Sequence, residues 1–133
     1  MCLEKLKSCG AWISVVLRVV VGILFFMHGT QKLFGWFGGQ QTYGLDQLLG
    51  WAGLIEVVVG LAVTLGFFTR SAALLGSAEM AAALFIAHFP KGLNILANGG
   101  ERAVLFLVAF LVIATTGPVR FSLEKKLLRK ERF

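Results

Sequence analysis

The chain has 133 residues, of which 57% are hydrophobic and only 15% are charged, and its mean hydropathy is +0.80. Soluble domains contain roughly 45–50% apolar residues, so this composition excludes an ordinary soluble globule and indicates one domain in a membrane. The net charge of +6 does not predict nucleic acid binding, because the basic residues lie at the chain ends and between apolar runs rather than in one polar patch.

Four apolar segments follow one another along the sequence. Each is close in length to the roughly 20 residues that a helix needs to cross a hydrocarbon core. The segments are continuously apolar and rich in Ala, Leu and Gly, which favours helices over the alternating strands of a barrel. The sequence therefore predicts an all-α integral membrane four-helix bundle within residues 1–124, with helices at about 11–34, 51–68, 71–89 and 101–117.

The distribution of positive charge predicts how the bundle is oriented. Nine basic residues fall on the side that holds both termini, and three fall on the other side, namely Lys32, Lys91 and Arg102. Since lysine and arginine accumulate in cytoplasmic loops, both termini are predicted to be cytoplasmic.

Residues 119–133 are predicted to form a basic amphipathic cytoplasmic tail. Ser122 is placed to cap a short helix on which Leu123, Leu127 and Leu128 share one side. Such a helix would lie on the membrane surface, although a frayed and solvated tail fits the same pattern.

Each of the first three predicted helices carries a charged residue within its apolar run: Arg18, Glu56 and Glu79. On an ideal helix each of them shares a face with small residues, which let helices approach closely in lipid. The rise per residue places Arg18 and Glu79 at the same depth, about 12 Å from the cytoplasmic ends, and Glu56 at about 18 Å. We therefore expect Arg18 to pair with Glu79, with Glu56 as a competitor or third partner.

A second polar layer is predicted near the outer surface, where His28, Lys32 and Glu101 would line the mouth of the bundle. His88 points about 180° away from Glu79 on an ideal helix, so we expect it near the loop, where it could meet His28 and Glu101. Structural roles stay open for all of these residues, including a buried pair that fixes helix register and a lysine that extends to the interface. The spacing of the histidines and glutamates matches no metal motif, and no metal site is predicted.

Short motifs occur in a fixed order over residues 14–124. They are Leu17-Arg18 with Gly22, His28-Gly29-x-x-Lys32-Leu33-Phe34, Glu56 with Gly60-Leu61, Leu65-Gly66-x-x-Thr69-Arg70, Glu79-Met80, His88-x-Pro90-Lys91-Gly92, Asn98-Gly99-Gly100-Glu101 and Gly117-Pro118-x-Arg120-Phe121-Ser122-Leu123. In these motifs the sequence resembles the DoxX family of small bacterial inner-membrane proteins. Glu124 stands where family patterns often have an aspartate, which is a conservative departure.

The resemblance implies a multi-pass protein of the bacterial inner membrane that is associated with an oxidoreductase system. Family members are linked with such systems, and the related DoxD type with thiosulfate oxidation coupled to quinone. The chain has no flavin, NAD or haem motif, and Cys2 and Cys9 lack the spacing of a redox dithiol. Any electron carrier would therefore be a lipid-soluble ligand such as a quinone, or would belong to a partner subunit.

The leading hypothesis is a redox subunit in which Arg18, Glu56 and Glu79 shape a pocket for a quinone-like ligand. Two other functions stay open. One is an oligomeric transporter or channel for protons or a small solute, and the other is a non-catalytic scaffold that contacts lipid and partner proteins. Whether the protein is an enzyme, and which residues would be catalytic, is left open.

Overall fold

The computed structural model of the protein describes residues 2–128. Within this range the fold is entirely helical, as predicted, and no strand occurs. The main helices are α1 (Cys2–Phe34), α2 (Leu48–Leu65), α3 (Thr69–Ala83), α4 (Glu101–Thr116) and α5 (Leu123–Leu128). Helix α3 continues through a π-helical turn at Leu84–His88 and a 3-10 turn at Phe89–Lys91.

Three stretches among the described residues are long and apolar enough to cross a membrane: Cys9–Phe34, Leu48–Leu65 and Thr69–Lys91. Helix α4 has 16 residues and rises about 24 Å, which is less than the roughly 30 Å of a hydrocarbon core. A fourth crossing by α4 and the cytoplasmic location of the termini remain predictions.

The predicted boundary between the second and third helices is three residues too late, because Gly66 ends α2. Gly66 has a φ of 71°, and its N–H donates to the Val63 carbonyl at 3.2 Å, while the Phe67 N–H donates to the Ala62 carbonyl at 2.9 Å. These two bonds form a Schellman motif, which terminates a helix at a glycine. The predicted turn residue Thr69 is consequently the first residue of α3.

Helices α1 and α2 cross at glycines, as the predicted small-residue faces require. A Cβ built on Gly60 would lie 2.5 Å from the Phe26 nitrogen and 2.7 Å from the Gly22 carbonyl oxygen. Seven residues beyond Gly22 on α1, a Cβ on Gly29 would lie 2.5 Å from the Gly53 carbonyl oxygen. The two backbones therefore touch along about two turns, which only glycine permits.

Helix α4 closes the bundle by packing against α3 and α1. Its Phe110 is fully buried and lies over Gly76 of α3, where an added Cβ would be 2.8 Å from the ring. Phe110 also meets the fully buried Phe25 of α1 edge-on, with ring centroids 4.6 Å apart. These aromatic rings fill the centre of the bundle and separate its two ends.

We call these ends the loop end and the clasp end. At the loop end α1 stops at Phe34, α2 starts at Leu48, the turn after α3 passes through His88, and α4 starts at Glu101. At the clasp end are the α2–α3 turn at residues 66–68, the last turn of α4 and the segment that leads into α5.

Candidate functional site

A buried ion pair joins α1 to α2 near the loop end. Lys32 Nζ donates to Glu56 Oε1 at 2.6 Å, and the Glu56 side chain is only 4% exposed. The close approach of the two helices at Gly29 and Gly53 brings the stems of the pair together. Lys32 therefore turns inward. The separation of Lys32 and Glu56 into an outer and an inner layer was wrong.

The tilt of helical side chains explains that error. Every Cα–Cβ bond in a helix leans toward the helix N-terminus. Lys32 on α1 therefore leans into the bundle, while Glu56 on the oppositely directed α2 leans toward the loop end. Depths counted from the rise per residue locate Cα atoms and miss this convergence.

The predicted pairing of Arg18 with Glu79 is also wrong. Both guanidinium NH₂ groups of Arg18 donate to backbone carbonyls at the clasp end. The Glu79 carboxyl oxygens are buried and have no hydrogen-bond partner among the described residues. Glu79 lies within electrostatic range of Glu56 and Lys32, so it belongs with the ion pair at the loop end.

A polar cavity of about 250 Å³ opens at the loop end, beside the ion pair. We define it by His28, Lys32, Glu56, His88 and Arg102. The other residues that line it are Gln31, Met80, Ala83, Gly99, Ala103 and Phe106. The His28 ring stands edge-on against Phe106, with centroids 5.5 Å apart, which fixes its orientation. Four of the five defining side chains can donate hydrogen bonds, and Glu56 supplies the carboxylate.

One wall of the polar cavity is held by a buried asparagine. Asn98 donates from Nδ2 to the Gly92 carbonyl at 2.7 Å and accepts at Oδ1 from the Gly100 N–H at 2.8 Å. The Asn98 carbonyl lies 3.0 Å from His88 Nδ1. Because a carbonyl oxygen can only accept, Nδ1 carries the proton, and Nε2 is the acceptor of a neutral His88 ring.

An apolar groove of about 270 Å³ lies between α2 and α3 and shares Lys32, Met80 and Ala83 with the polar cavity. Its walls are aliphatic and aromatic side chains, including Trp51 and Ile55, and its only charged lining residues among those described are Lys32 and Glu79. Lys32 thus borders both the polar cavity and the apolar groove. The arrangement places apolar walls next to one ammonium group and one carboxyl group that has no hydrogen-bond partner among the described residues.

At the opposite end two arginines hold the chain that follows α4. Arg18 donates to the carbonyls of Pro118 and Phe121 at 2.8 and 2.9 Å. Arg70 donates from Nη1 to the carbonyls of Ala114 and Thr115, both at 2.8 Å. Carbonyls in the last turn of a helix have no intrahelical donor, so Arg70 supplies the missing donor to two carbonyls at the C-terminal end of α4.

The same segment is tied to the α2–α3 turn by its own side chains. Ser122 Oγ donates to the Gly66 carbonyl at 2.8 Å, and Glu124 Oε2 accepts from the Phe68 N–H at 3.1 Å. We call Arg18, Arg70, Ser122 and Glu124 the clasp. Ser122 Oγ also accepts from the Lys125 N–H at 3.3 Å, which confirms that Ser122 caps a short helix.

The predicted tail is therefore anchored at its beginning. Leu123 and Leu127 of α5 are exposed, at 36% and 64%, and the location of this helix on the membrane surface stays a prediction. The remainder of the predicted tail, residues 129–133, lies outside the described residues.

The structure brings four of the seven predicted site residues to the polar cavity: His28, Lys32, Glu56 and His88. Glu79 faces the apolar groove, and Arg18 belongs to the clasp. Glu101 is exposed and does not line the cavity, whereas Arg102 does, because one residue turns a helix by about 100°. Sequence reasoning missed Arg102 and Asn98, although the motif around Asn98 marked it.

These observations define an integral membrane protein built from packed helices, with a buried ion pair beside a polar cavity. The sequence model of the DoxX family matches residues 13–89, more than half of the chain, and the chain belongs to this family. It is a multi-pass protein of the bacterial inner membrane.

Two relatives match over nearly the whole chain. An uncharacterized protein of Haemophilus influenzae is 36% identical over 96% of this chain and 100% of its own length. Inner membrane protein YqjF of Escherichia coli is 32% identical over 96% of this chain and 99% of its own length. No solved structure matches the chain.

Proposed function

We propose that this DoxX protein is a membrane subunit of an oxidoreductase system and that its apolar groove holds a quinone-like, lipid-soluble ligand. The observation that carries the proposal is the Glu79 carboxyl group, whose two oxygens have no partner among the described residues and which lines an otherwise apolar groove beside Lys32. Small-molecule sites are typically apolar clefts with a few convergent polar groups.

The groove suits both redox forms of such a ligand. The Lys32 ammonium and a protonated Glu79 carboxyl donate hydrogen bonds to a ring carbonyl, whereas an ionised Glu79 accepts from a ring hydroxyl. Exchange of a proton at Glu79 would be relayed through the Lys32–Glu56 pair toward the polar cavity, which Lys32 also borders. The chain's own residues thus bind the ring and move protons, and the electrons come from a partner subunit.

Extraction of the purified protein tests the proposal. The protein is isolated in mild detergent and its bound lipids are analysed for quinone by mass spectrometry. We expect quinone with the unaltered chain and with Ala78→Phe, since Ala78 is exposed on α3 and lies outside the groove. We expect at least a tenfold lower content with Ala52→Phe, which fills the groove, because Ala52 lines it.

The respiratory activity of membranes supplies a second readout. Glu56→Gln should lower it if Glu56 relays protons, whereas Glu101→Gln should not, because Glu101 is exposed and lies outside both the cavity and the groove. Absence of quinone in the purified protein, together with unchanged activity in Glu56→Gln, would refute the proposal.

Transport of protons or a small solute is the second candidate function, and the observation that favours it is the contact of Lys32 with both the cavity and the groove. The fully buried Phe25 and Phe110 argue against a pore through a single copy, because they fill the bundle between its two ends. Proton flux into liposomes that disappears in Glu79→Gln would favour transport over ligand binding.

A further inference from the structure

The polar cavity is lined by a glutamate, Glu56, with one carboxylate oxygen that has no hydrogen-bond donor among the described residues. Glu56 is only 3% exposed and lines the cavity. Its Oε1 accepts from Lys32, but its Oε2 is buried and has no donor among the described residues. A buried carboxylate oxygen without a donor is unfavourable, so a molecule that fills the cavity should donate to Oε2 once the Glu56 carboxyl group turns this oxygen toward the cavity.

The wall of the cavity that α4 contributes supplies hydrogen-bond donors and positive charge. Arg102 and Ala103 line the cavity in the first turn of α4, and no side chain of the described part of the chain caps this end of the helix. The first N–H groups of a helix have no intrahelical acceptor and carry partial positive charge. Together with the Arg102 guanidinium they attract an anionic group.

The two histidines lie between these walls. His28 lines the cavity together with Arg102 and Lys32. His88 is fixed by the Asn98 carbonyl with Nε2 as its acceptor. The cavity therefore offers donors and positive charge from α4, and acceptors from Glu56 and His88.

We propose that the polar cavity binds a small organic acid that also carries an amine or hydroxyl group. The acid group lies at Arg102 and the first turn of α4, and the amine or hydroxyl donates to Glu56 Oε2. A simple anion would leave Oε2 without a donor, and a simple amine would leave Arg102 without an anion. The volume of about 250 Å³ admits roughly eight water-sized groups of about 30 Å³ each, which limits the ligand to a small molecule.

This site differs from the proposed quinone site in most of its lining residues, although the two share Lys32, Met80 and Ala83. Either proposal can fail while the other stands. Binding in the polar cavity depends on Arg102, whereas binding in the apolar groove depends on Ala52 and Glu79.

The test measures thermal unfolding of the full chain in detergent with five millimolar-range probes: lactate, alanine, propionate, ethylamine and inorganic phosphate. We expect a saturable rise in Tm with lactate or alanine, and the one that acts tells whether a hydroxyl or an amine is recognised. Propionate has the size and acid group of lactate without its hydroxyl, so it should act at least tenfold more weakly. Ethylamine and phosphate should have no saturable effect.

Matched variants then locate the binding. Arg102→Gln should weaken the active probe about tenfold or more, while Lys91→Gln should not, because Lys91 is an exposed base outside the cavity at the same end. Glu56→Gln should abolish the preference for lactate or alanine over propionate, and Glu101→Gln should leave it intact. Arg102 is exposed, so its variant reports binding even if Glu56→Gln fails to fold.

Three results would overturn the proposal. The first is that no probe stabilises the unaltered chain, which would mean that water alone fills the cavity. The second is that propionate or phosphate acts as strongly as lactate and alanine. The third is that Arg102→Gln binds the active probe as tightly as the unaltered protein does.

Discussion

Arg18 on α1 reaches the carbonyl of Pro118, a hundred positions further along the chain, and donates to it from Nη1 at 2.8 Å. Its second NH₂ group donates to the Phe121 carbonyl at 2.9 Å. A buried cation inside an apolar run is thereby neutralised in part by the dipoles of two peptide groups, without a carboxylate partner among residues 2–128. Arg18, which the sequence predicts to be one half of an ion pair, therefore holds the C-terminal segment in place.

We therefore predict that Arg18→Met releases the clasp. Loss of two hydrogen bonds to a charged group should destabilise the anchored segment by about 2–5 kcal/mol, and Arg18→Lys should restore only part of this, because a lysine has no planar fork. Hydrogen exchange of the amides at residues 117–124 measures the effect and should become much faster.

Lys126→Gln is the matched control at the same end, because Lys126 is an exposed base of α5. Its hydrogen exchange at residues 117–124 should equal that of the unaltered chain. Equal protection in Arg18→Met would mean that Ser122 and Glu124 hold the segment without help from the arginine.

The crossing of α1 and α2 gives a second prediction. In Gly60→Ala the new Cβ would lie 2.5 Å from the Phe26 nitrogen, a backbone atom that cannot move aside cheaply. The helices must separate, so we expect destabilisation by about 1–3 kcal/mol, the usual range for overpacking, in unfolding experiments in mixed micelles.

Gly10→Ala, on α1, is the control, since no atom of another described segment lies within 4 Å of its added Cβ. It should be neutral or slightly stabilising, because alanine favours the helix over glycine by about 1 kcal/mol. Equal stability of the two variants would show that the crossing tolerates a methyl group.

The crossing of α1 and α2 could be predicted from the sequence, whereas the contacts of Arg18 could not. Periodicity placed Gly22 and Gly60 on packing faces, because the repeat of a helix is a local property. The partners of Arg18 are contributed by a segment after α4, and no local pattern links positions a hundred residues apart. The phase of α4 was equally hidden, so Glu101 was chosen where Arg102 lines the cavity. The Lys32–Glu56 contact required side-chain tilt as well as depth.

The Lys32–Glu56 pair gives a third prediction, which concerns non-additivity. Removing one partner leaves a buried charge without compensation, so Lys32→Met and Glu56→Met should each destabilise the protein by about 3–5 kcal/mol. The double variant should lose much less than the sum, because it buries no unpaired charge. A double-mutant cycle measured by unfolding in mixed micelles gives the coupling free energy.

Lys91→Met combined with Glu56→Met is the control cycle, since Lys91 is exposed and outside the cavity. Its two effects should add within about 0.5 kcal/mol. Additive effects in the Lys32 cycle as well would contradict a direct ion pair at 2.6 Å.

The last prediction concerns the loop between the π-helical turn and α4, which contains two asparagines with different roles. Asn98 is buried and joins the Gly92 carbonyl to the Gly100 N–H through its side chain. Asn94 is exposed and accepts from the N–H groups of Leu96 and Ala97 at 3.1 and 3.3 Å. In Asn98→Ala the Gly92 carbonyl loses its side-chain donor, and the Gly100 N–H keeps only its bond to the Ile95 carbonyl at 3.1 Å. We therefore expect about 1–3 kcal/mol of destabilisation and faster amide exchange at residues 92–100.

Asn94→Ala should have an effect well under half as large, because water can replace its bonds at an exposed position. The His88 ring provides a readout specific to the cavity: its Nδ1 bond to the Asn98 carbonyl should be disturbed by Asn98→Ala and preserved in Asn94→Ala, as seen in the ¹⁵N shifts of the imidazole. Identical shifts in both variants would mean that the Asn98 side chain does not position the histidine, and that the cavity wall is held by the backbone of the loop alone.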